Sequence, residues 1–159
     1  MHVRTEKVLS RCDFESGQLV VKFDEVFPSD PGLIDGMVAR ITRRVEQAGC
    51  CEGLENLDLA LREALANAIV HGNCNDRAKE VRVSVAVRRD AGMLIIVKDT
   101  GSGFDPSRLP NPTEDQNLLA THGRGIFLIK CLMDDVRFSF DRGTSIYMRR
   151  NPRHGRRIG

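Results

Sequence analysis

The hydrophobic pattern along the chain changes period several times, and each change marks an element. Gln18-Leu19-Val20-Val21-Lys22-Phe23 is rich in β-branched and aromatic residues and reads as a strand. It is ended by Pro28-Ser29-Asp30-Pro31, whose Ser and Asp are good helix N-cap types. Leu33, Ile34, Met37, Val38, Ile41 and Val45 then recur at three- and four-residue steps, which predicts a helix with one buried face and Gly49 as its stop. A second helical pattern runs from Leu54 to about Val70, entered after Gly53 and left through His71-Gly72-Asn73. Val81, Val83, Val85 and Val87 alternate with Arg82, Ser84 and Ala86, the two-residue period of a half-buried strand. Met93-Leu94-Ile95-Ile96-Val97 is a continuous apolar run, as in a central strand covered on both faces.

That run stops at Asp99-Thr100-Gly101-Ser102-Gly103. The segment from Phe104 to about His122 holds three prolines, at 106, 110 and 112, and is too long for an ordinary connection, so it reads as a lid. Gly123-Arg124-Gly125 opens a helical pattern through Met133, and the runs 136–140 and 145–148 form a hairpin across Asp141-Arg142-Gly143-Thr144. Strands paired as hairpins, with helices inserted between them, predict an α+β fold: an antiparallel or mixed sheet with helices on one face. No internal repeat is visible.

Length and composition narrow the class. A chain of 159 residues is one domain with a tail, large enough for a core without metal or disulfide staples. At 41% hydrophobic and 29% charged residues it is ordinary globular material. No apolar run has the length of a membrane span, and Met1-His2-Val3-Arg4-Thr5-Glu6 lacks a signal peptide's apolar core, so a cytoplasmic protein with no membrane contact is expected. The formal charge of +2 hides a division: residues 149–159 hold five arginines and no acid, leaving −3 on residues 1–148. With no Trp, one Tyr and no alternation of basic and aromatic residues, direct nucleic-acid binding is not expected of the body. Five cysteines (12, 50, 51, 74, 131) form no C-x-x-C pair, which argues against a disulfide framework or a zinc site, and Cys74 stands just past the second helix as either an inert or a redox-sensitive thiol.

Three constellations carry chemistry. On the second helix Glu63, Asn67 and His71 are four apart and climb one face in successive turns. Leu59, Ala60, Ala66 and Val70 flank them while Leu57, Leu61 and Leu65 occupy the far side, so the helix is expected to be covered all round and its polar groups to need partners. Asp99-x-Gly101-x-Gly103 follows an apolar strand, where a carboxylate can accept from an exocyclic amine and glycines let backbone approach a flat ring. Gly123-Arg124-Gly125 at a helix start offers free N–H groups to an anion. A Rossmann fingerprint is excluded by Leu128 and no Walker sequence occurs.

Taken in order, Glu63-x-x-x-Asn67-x-x-x-His71-Gly72-Asn73, Asp99-x-Gly101-x-Gly103-Phe104, Gly123-Arg124-Gly125-Ile126, Leu132-Met133-Asp134-Asp135-Val136 and Gly143-Thr144 resemble the N, G1 and G2 boxes of the GHKL ATPases. Within that superfamily the chain resembles the small anti-sigma factor serine/threonine kinases of the SpoIIAB and RsbW type, over roughly residues 18–149. The resemblance implies an N-terminal segment 1–17, a Bergerat-type ATP-binding kinase domain 18–149 built as a two-layer sandwich under a flexible lid, and a basic tail 150–159. It implies ATP and Mg2+ as cofactors. By the same resemblance Asn67 would bind Mg2+, Glu63 would be the general base, and Asp99 would accept from the adenine amino group with help from Thr144 through its hydroxyl or a water. Gly101 and Gly103 would pass close to the base, and Gly123, Arg124 and Gly125 would hold the β and γ phosphates. His71 would be structural.

Members of this type sequester a sigma factor, phosphorylate an anti-anti-sigma partner of the STAS type, and many are homodimers through the sheet. Some relatives carry an Arg immediately before the first G2 glycine, where this chain has Thr121-His122, with Arg124 or Arg108 as substitutes; His71-Gly72-Asn73-Cys74 is more typical of the broader bacterial regulatory ATPases. Two other readings stay open: a nucleotide-binding switch without catalysis, and a detached histidine-kinase catalytic domain. The first predicted helix, 32–48, contains no histidine to serve the latter as phospho-acceptor.

Overall fold

A computed structural model describes residues 19–50, 53–88, 92–102 and 124–152. The predicted lid, Gly103, Gly123, Arg108, Thr121-His122, the first 18 residues and the end of the basic tail lie outside the described residues.

Five strands form one antiparallel sheet: β1 (Leu19–Pro28), β2 (Glu80–Arg88), β3 (Gly92–Asp99), β4 (Asp135–Ser139) and β5 (Ser145–Arg150), in the spatial order β1-β2-β3-β5-β4. Three helices accompany them: α1 (Ile34–Gln47), entered by a 3-10 turn over Pro31–Leu33, α2 (Leu54–Ala66), and α3 (Arg124–Leu132). The domain is thus α+β, as the pattern predicts.

Residue type explains the layering. Val81, Val83, Val85 and Val87 are all buried on the inward face of β2, opposite Asp99, Val97, Ile95 and Met93 of β3. The helices close over that face with Met37, Val38, Ile41 and Val45 from α1, Leu57, Ala60, Leu61, Ala64 and Leu65 from α2, and Ile129 from α3, all in one core. Each of the valine, leucine, isoleucine and methionine side chains among them contributes about 1.5–3 kcal/mol by leaving water. Helix α1 stops where expected, with Gly49 at φ +83°.

Strand β1 runs five residues beyond the predicted Phe23. Its inward positions continue as Phe23, Glu25 and Phe27, and a carboxylate in that series breaks the apolar alternation in the sequence. Glu25 is buried because α1 supplies its partners. Nε of Arg40 lies 3.0 and 3.1 Å from its two oxygens, and Nη1 of Arg44 lies 2.5 Å from Oε1. The Arg44 guanidinium also sits over the Phe23 ring, 3.9 Å from its centroid.

Helix α2 is the element that departs most from expectation. It is α-helical only to Ala66, and Asn67–Gly72 then form a π-helical turn. Nor is it covered all round: Leu59 and Val70 are each 39% exposed, which leaves the flank of Glu63 open to solvent.

Candidate functional site

Helix α2 crosses the sheet so that its C-terminal π turn meets the end of β3. At that junction Asp99 is buried, 2% exposed, and its Oδ1 accepts the backbone N–H groups of Gly101 and Thr144, both at 3.0 Å. The N–H of Asp99 in turn donates to the carbonyl of Thr144, also at 3.0 Å. Thr144 therefore orients Asp99 through its backbone. With Oδ1 doubly engaged, Oδ2 is the oxygen left to recognise something else.

The approach of chain to chain here needs glycine. A Cβ on Gly72 would collide with the Asp99 carboxyl group, and one on Gly101 would collide with the carbonyl of Gly72. Gly143, at φ +104°, turns the β4–β5 hairpin against the backbone of Asp99.

A cavity opens beside Asp99. Val97, Ile126, Phe138 and Ile146 supply apolar walls, and Asn67, His71 and Thr144 its polar rim. The Phe138 ring is stacked on that of Phe140 with centroids 6.3 Å apart and 7° between planes. Flat apolar walls around one buried, half-engaged carboxylate suit a planar heterocycle bearing an amino group.

A second, wider cleft adjoins the first. Asn67 and His71 line both, and Glu63, Val70, Arg124, Gly125 and Phe127 complete it. Here α2 and α3 come close: a Cβ on Gly125 would stand 2.5 Å from Oε2 of Glu63 and 3.7 Å from Nδ2 of Asn67. Among the described residues the Glu63 carboxylate has no hydrogen-bond or ion-pair partner, and it is half-buried. Arg124 is exposed at the N-terminus of α3.

Asn67 is 9% exposed, and its Nδ2 is a buried polar atom without a partner. A half-turn of the terminal torsion exchanges nitrogen and oxygen at that position. A buried amide end short of a partner, aimed between the two clefts, fits a hard cation that takes oxygen ligands. Among the described residues no group of three His, Cys, Asp or Glu is placed to hold a metal, so such an ion would rely on its substrate's oxygens for the rest of its shell.

The structure thus brings Glu63, Asn67, Asp99, Arg124, Gly125 and Thr144 to two contiguous clefts, with Gly101 bonded to Asp99 but lining neither, while Gly103 and Gly123 lie outside the described residues. Sequence reasoning gave no role to Gly72 or the phenylalanine pair of β4 and its exit, and placed Gly143 only in the hairpin turn and the motif. Gly72 was legible only as part of a motif, and the phenylalanines read as ordinary strand residues.

Comparison with known proteins agrees with this geometry. A family model described as a histidine kinase-like ATPase domain matches residues 27–150. Curated relatives named serine-protein kinase RsbW include that of Listeria monocytogenes serovar 1/2a, 31% identical over 103 residues, which are 61% of this chain and 65% of the relative. The Bacillus licheniformis protein is 35% identical over 105 residues, 61% of this chain and 64% of the relative. That of Bacillus subtilis is 33% identical over 103 residues, 60% of this chain and 62% of the relative. The chain spans a little under two thirds of the length of these relatives.

Proposed function

The chain belongs to the family of histidine kinase-like ATPase domains, and on that premise we propose that it is an ATP-dependent protein-serine/threonine kinase of the anti-sigma factor type. The observation that carries the reading is the meeting of Glu63, Asn67 and Gly125 in a cleft continuous with the Asp99 cavity.

Asp99 accepts from the adenine amino group through Oδ2, held in place by the N–H groups of Gly101 and Thr144. Asn67 holds Mg2+ through its amide oxygen; when bound, that ion offsets the negative charge of the phosphates. Arg124 and the free N–H groups at the start of α3, with Gly123 and Gly125, receive the terminal phosphates. Glu63 takes the proton of the acceptor hydroxyl as its oxygen bonds to the γ-phosphorus and the bond to the β,γ-bridging oxygen breaks, releasing ADP. The unpaired, half-open setting of Glu63 supports that role, since a general base needs a free lone pair facing the acceptor.

The partners of the proposal are a sigma factor, held from its polymerase, and an anti-anti-sigma protein of the STAS type that receives the phosphoryl group. The protein works in the cytoplasm, and no helix among the described residues is long and apolar enough to cross a membrane. Two copies pair through the sheet face that α1, α2 and α3 leave uncovered. Residues 1–17 and the basic segment 150–159, whose first residue Arg150 ends β5, flank the catalytic domain.

The test is transfer of labelled phosphate from Mg-ATP to serine or threonine of a co-purifying small protein, mapped by mass spectrometry. Transfer by the wild type and none by Glu63→Gln, with ATP still bound by calorimetry, is the expected result. ATP binding that changes partner affinity with no transfer to any of them would mark a nucleotide-driven switch instead.

A further inference from the structure

We infer that Asn73 is a positioning residue for nucleotide recognition: its buried side chain sets the Asp99 carboxylate against the π turn that carries Asn67. The inference rests on the nucleotide reading above.

Asn73 is fully buried and uses every group it has on three different elements. Its backbone N–H donates to the carbonyl of Ala68 at 2.8 Å, the five-residue step that makes the end of α2 a π turn. Its Nδ2 donates to the carbonyl of Glu80, the first residue of β2, at 3.0 Å. Its Oδ1 accepts the N–H of Thr100, the residue after Asp99, at 3.1 Å. The Thr100 hydroxyl completes the knot, accepting from Glu80 N–H at 3.2 Å and donating to the Glu80 carbonyl at 3.3 Å.

The bridge acts where tolerance is smallest. Gly72, next to Asn73, lies against the Asp99 carboxyl group and, through its carbonyl, against Gly101. Asn67 stands at the other end of the same π turn. The separation between the carboxylate that meets the base and the amide that meets the metal is therefore spanned by this turn, and the Asn73 side chain ties the turn to the start of β2 and to the residue that follows Asp99 at the end of β3. Past it, Cys74 takes the left-handed conformation at φ +54°, costly for a side chain of its kind, and Asn75 follows at φ +57°, which an asparagine tolerates. An amide suits the post, since one planar group must donate on one side and accept on the other; a serine reaches too little and a carboxylate cannot donate.

The test measures ATP against ITP, whose base carries a carbonyl in place of the amino group, on the full chain by equilibrium binding. Wild type is expected to prefer ATP. Asn73→Ala is expected to lower ATP affinity roughly tenfold or more while ITP affinity moves much less, so that the preference collapses. Asp99→Asn added to Asn73→Ala should then cost less than it does alone. Asn73→Asp, which keeps the acceptor for Thr100 and loses the donor to Glu80, should fall between and serves if the alanine variant does not fold. A lower melting temperature with the ATP preference intact, or strictly additive losses, would overturn the inference while leaving the nucleotide reading standing. A wild-type chain that holds neither nucleotide would overturn both.

Discussion

Gly125 of α3 and Glu63 of α2 are in such close approach that a single added methyl at 125 would stand 2.5 Å from the Glu63 carboxylate. The atom met is the free end of a flexible side chain, so the fold can yield by moving it. Gly125→Ala is accordingly expected to unfold within about 1 kcal/mol of wild type. Phosphoryl transfer should drop by about tenfold or more, because the base is displaced from its acceptor. Urea denaturation beside a transfer assay separates the two; equal transfer rates would show that Glu63 is not held where the chemistry needs it.

Glu63→Gln removes the proton acceptor and keeps the shape. Transfer should fall by about 10²–10⁴, the usual range for a general base, with ATP affinity changed only a few-fold. Single-turnover kinetics and calorimetry read the two quantities independently.

Glu25 offers a test of the fold away from the site. Removing it in Glu25→Ala deprives Arg40 and Arg44 of their acceptor, but their side chains are 64% and 43% exposed and can return to water. The expected loss is about 1 kcal/mol. Glu25→Leu should be close to neutral, since an apolar residue fits the inward series with Phe23 and Phe27 and has no charge to desolvate. Paired urea titrations give the order; a leucine variant much weaker than alanine would contradict it.

The proposed pairing of two copies through the sheet has a charge problem that salt can relieve. Lys22, Arg82 and Lys98 stand on the outward face, Arg82 directly opposite Lys98 in the strand register. Two such faces repel, and screening shortens the reach of that repulsion. Sedimentation should show tighter self-association at high than at low ionic strength. Association that weakens with salt would place the contact elsewhere.

Most of this fold could be read from the chain because its strands and α1 announce themselves locally. The alternating valines of β2 and the three- and four-residue steps of α1 each encode their own geometry. What escaped depended on partners distant in sequence. Glu25 looks like the end of a strand until Arg40 and Arg44 arrive from α1 to neutralise it. Glu63, Asn67 and Asp99 stand out by type and spacing, and His71 lines the same clefts as Asn67, but the 100° step that put it on the face of Glu63 and Asn67 does not hold after Ala66, where the helix widens. That widening is closed by Asn73, whose role depends on Glu80 and Thr100 and has no local signature. Likewise a threonine suggests its hydroxyl, and only the hairpin geometry shows that the main-chain N–H of Thr144 also holds the Asp99 carboxylate.

The strand order puts β3 at the centre of the sheet, bonded to β2 on one side and β5 on the other, and Asp99 is its last residue. Helix α3, with the proposed phosphate end of the site, has no ladder to hold it and rests on α2 by side-chain packing. The two ends of one ligand site therefore belong to regions of different local stability. Amide protons of β3 should exchange with deuterium only through global opening, with or without nucleotide. Those of α3 should exchange through smaller, cheaper openings and slow markedly when nucleotide binds, so that occupancy is written in the exchange of the helix and is silent in the strand.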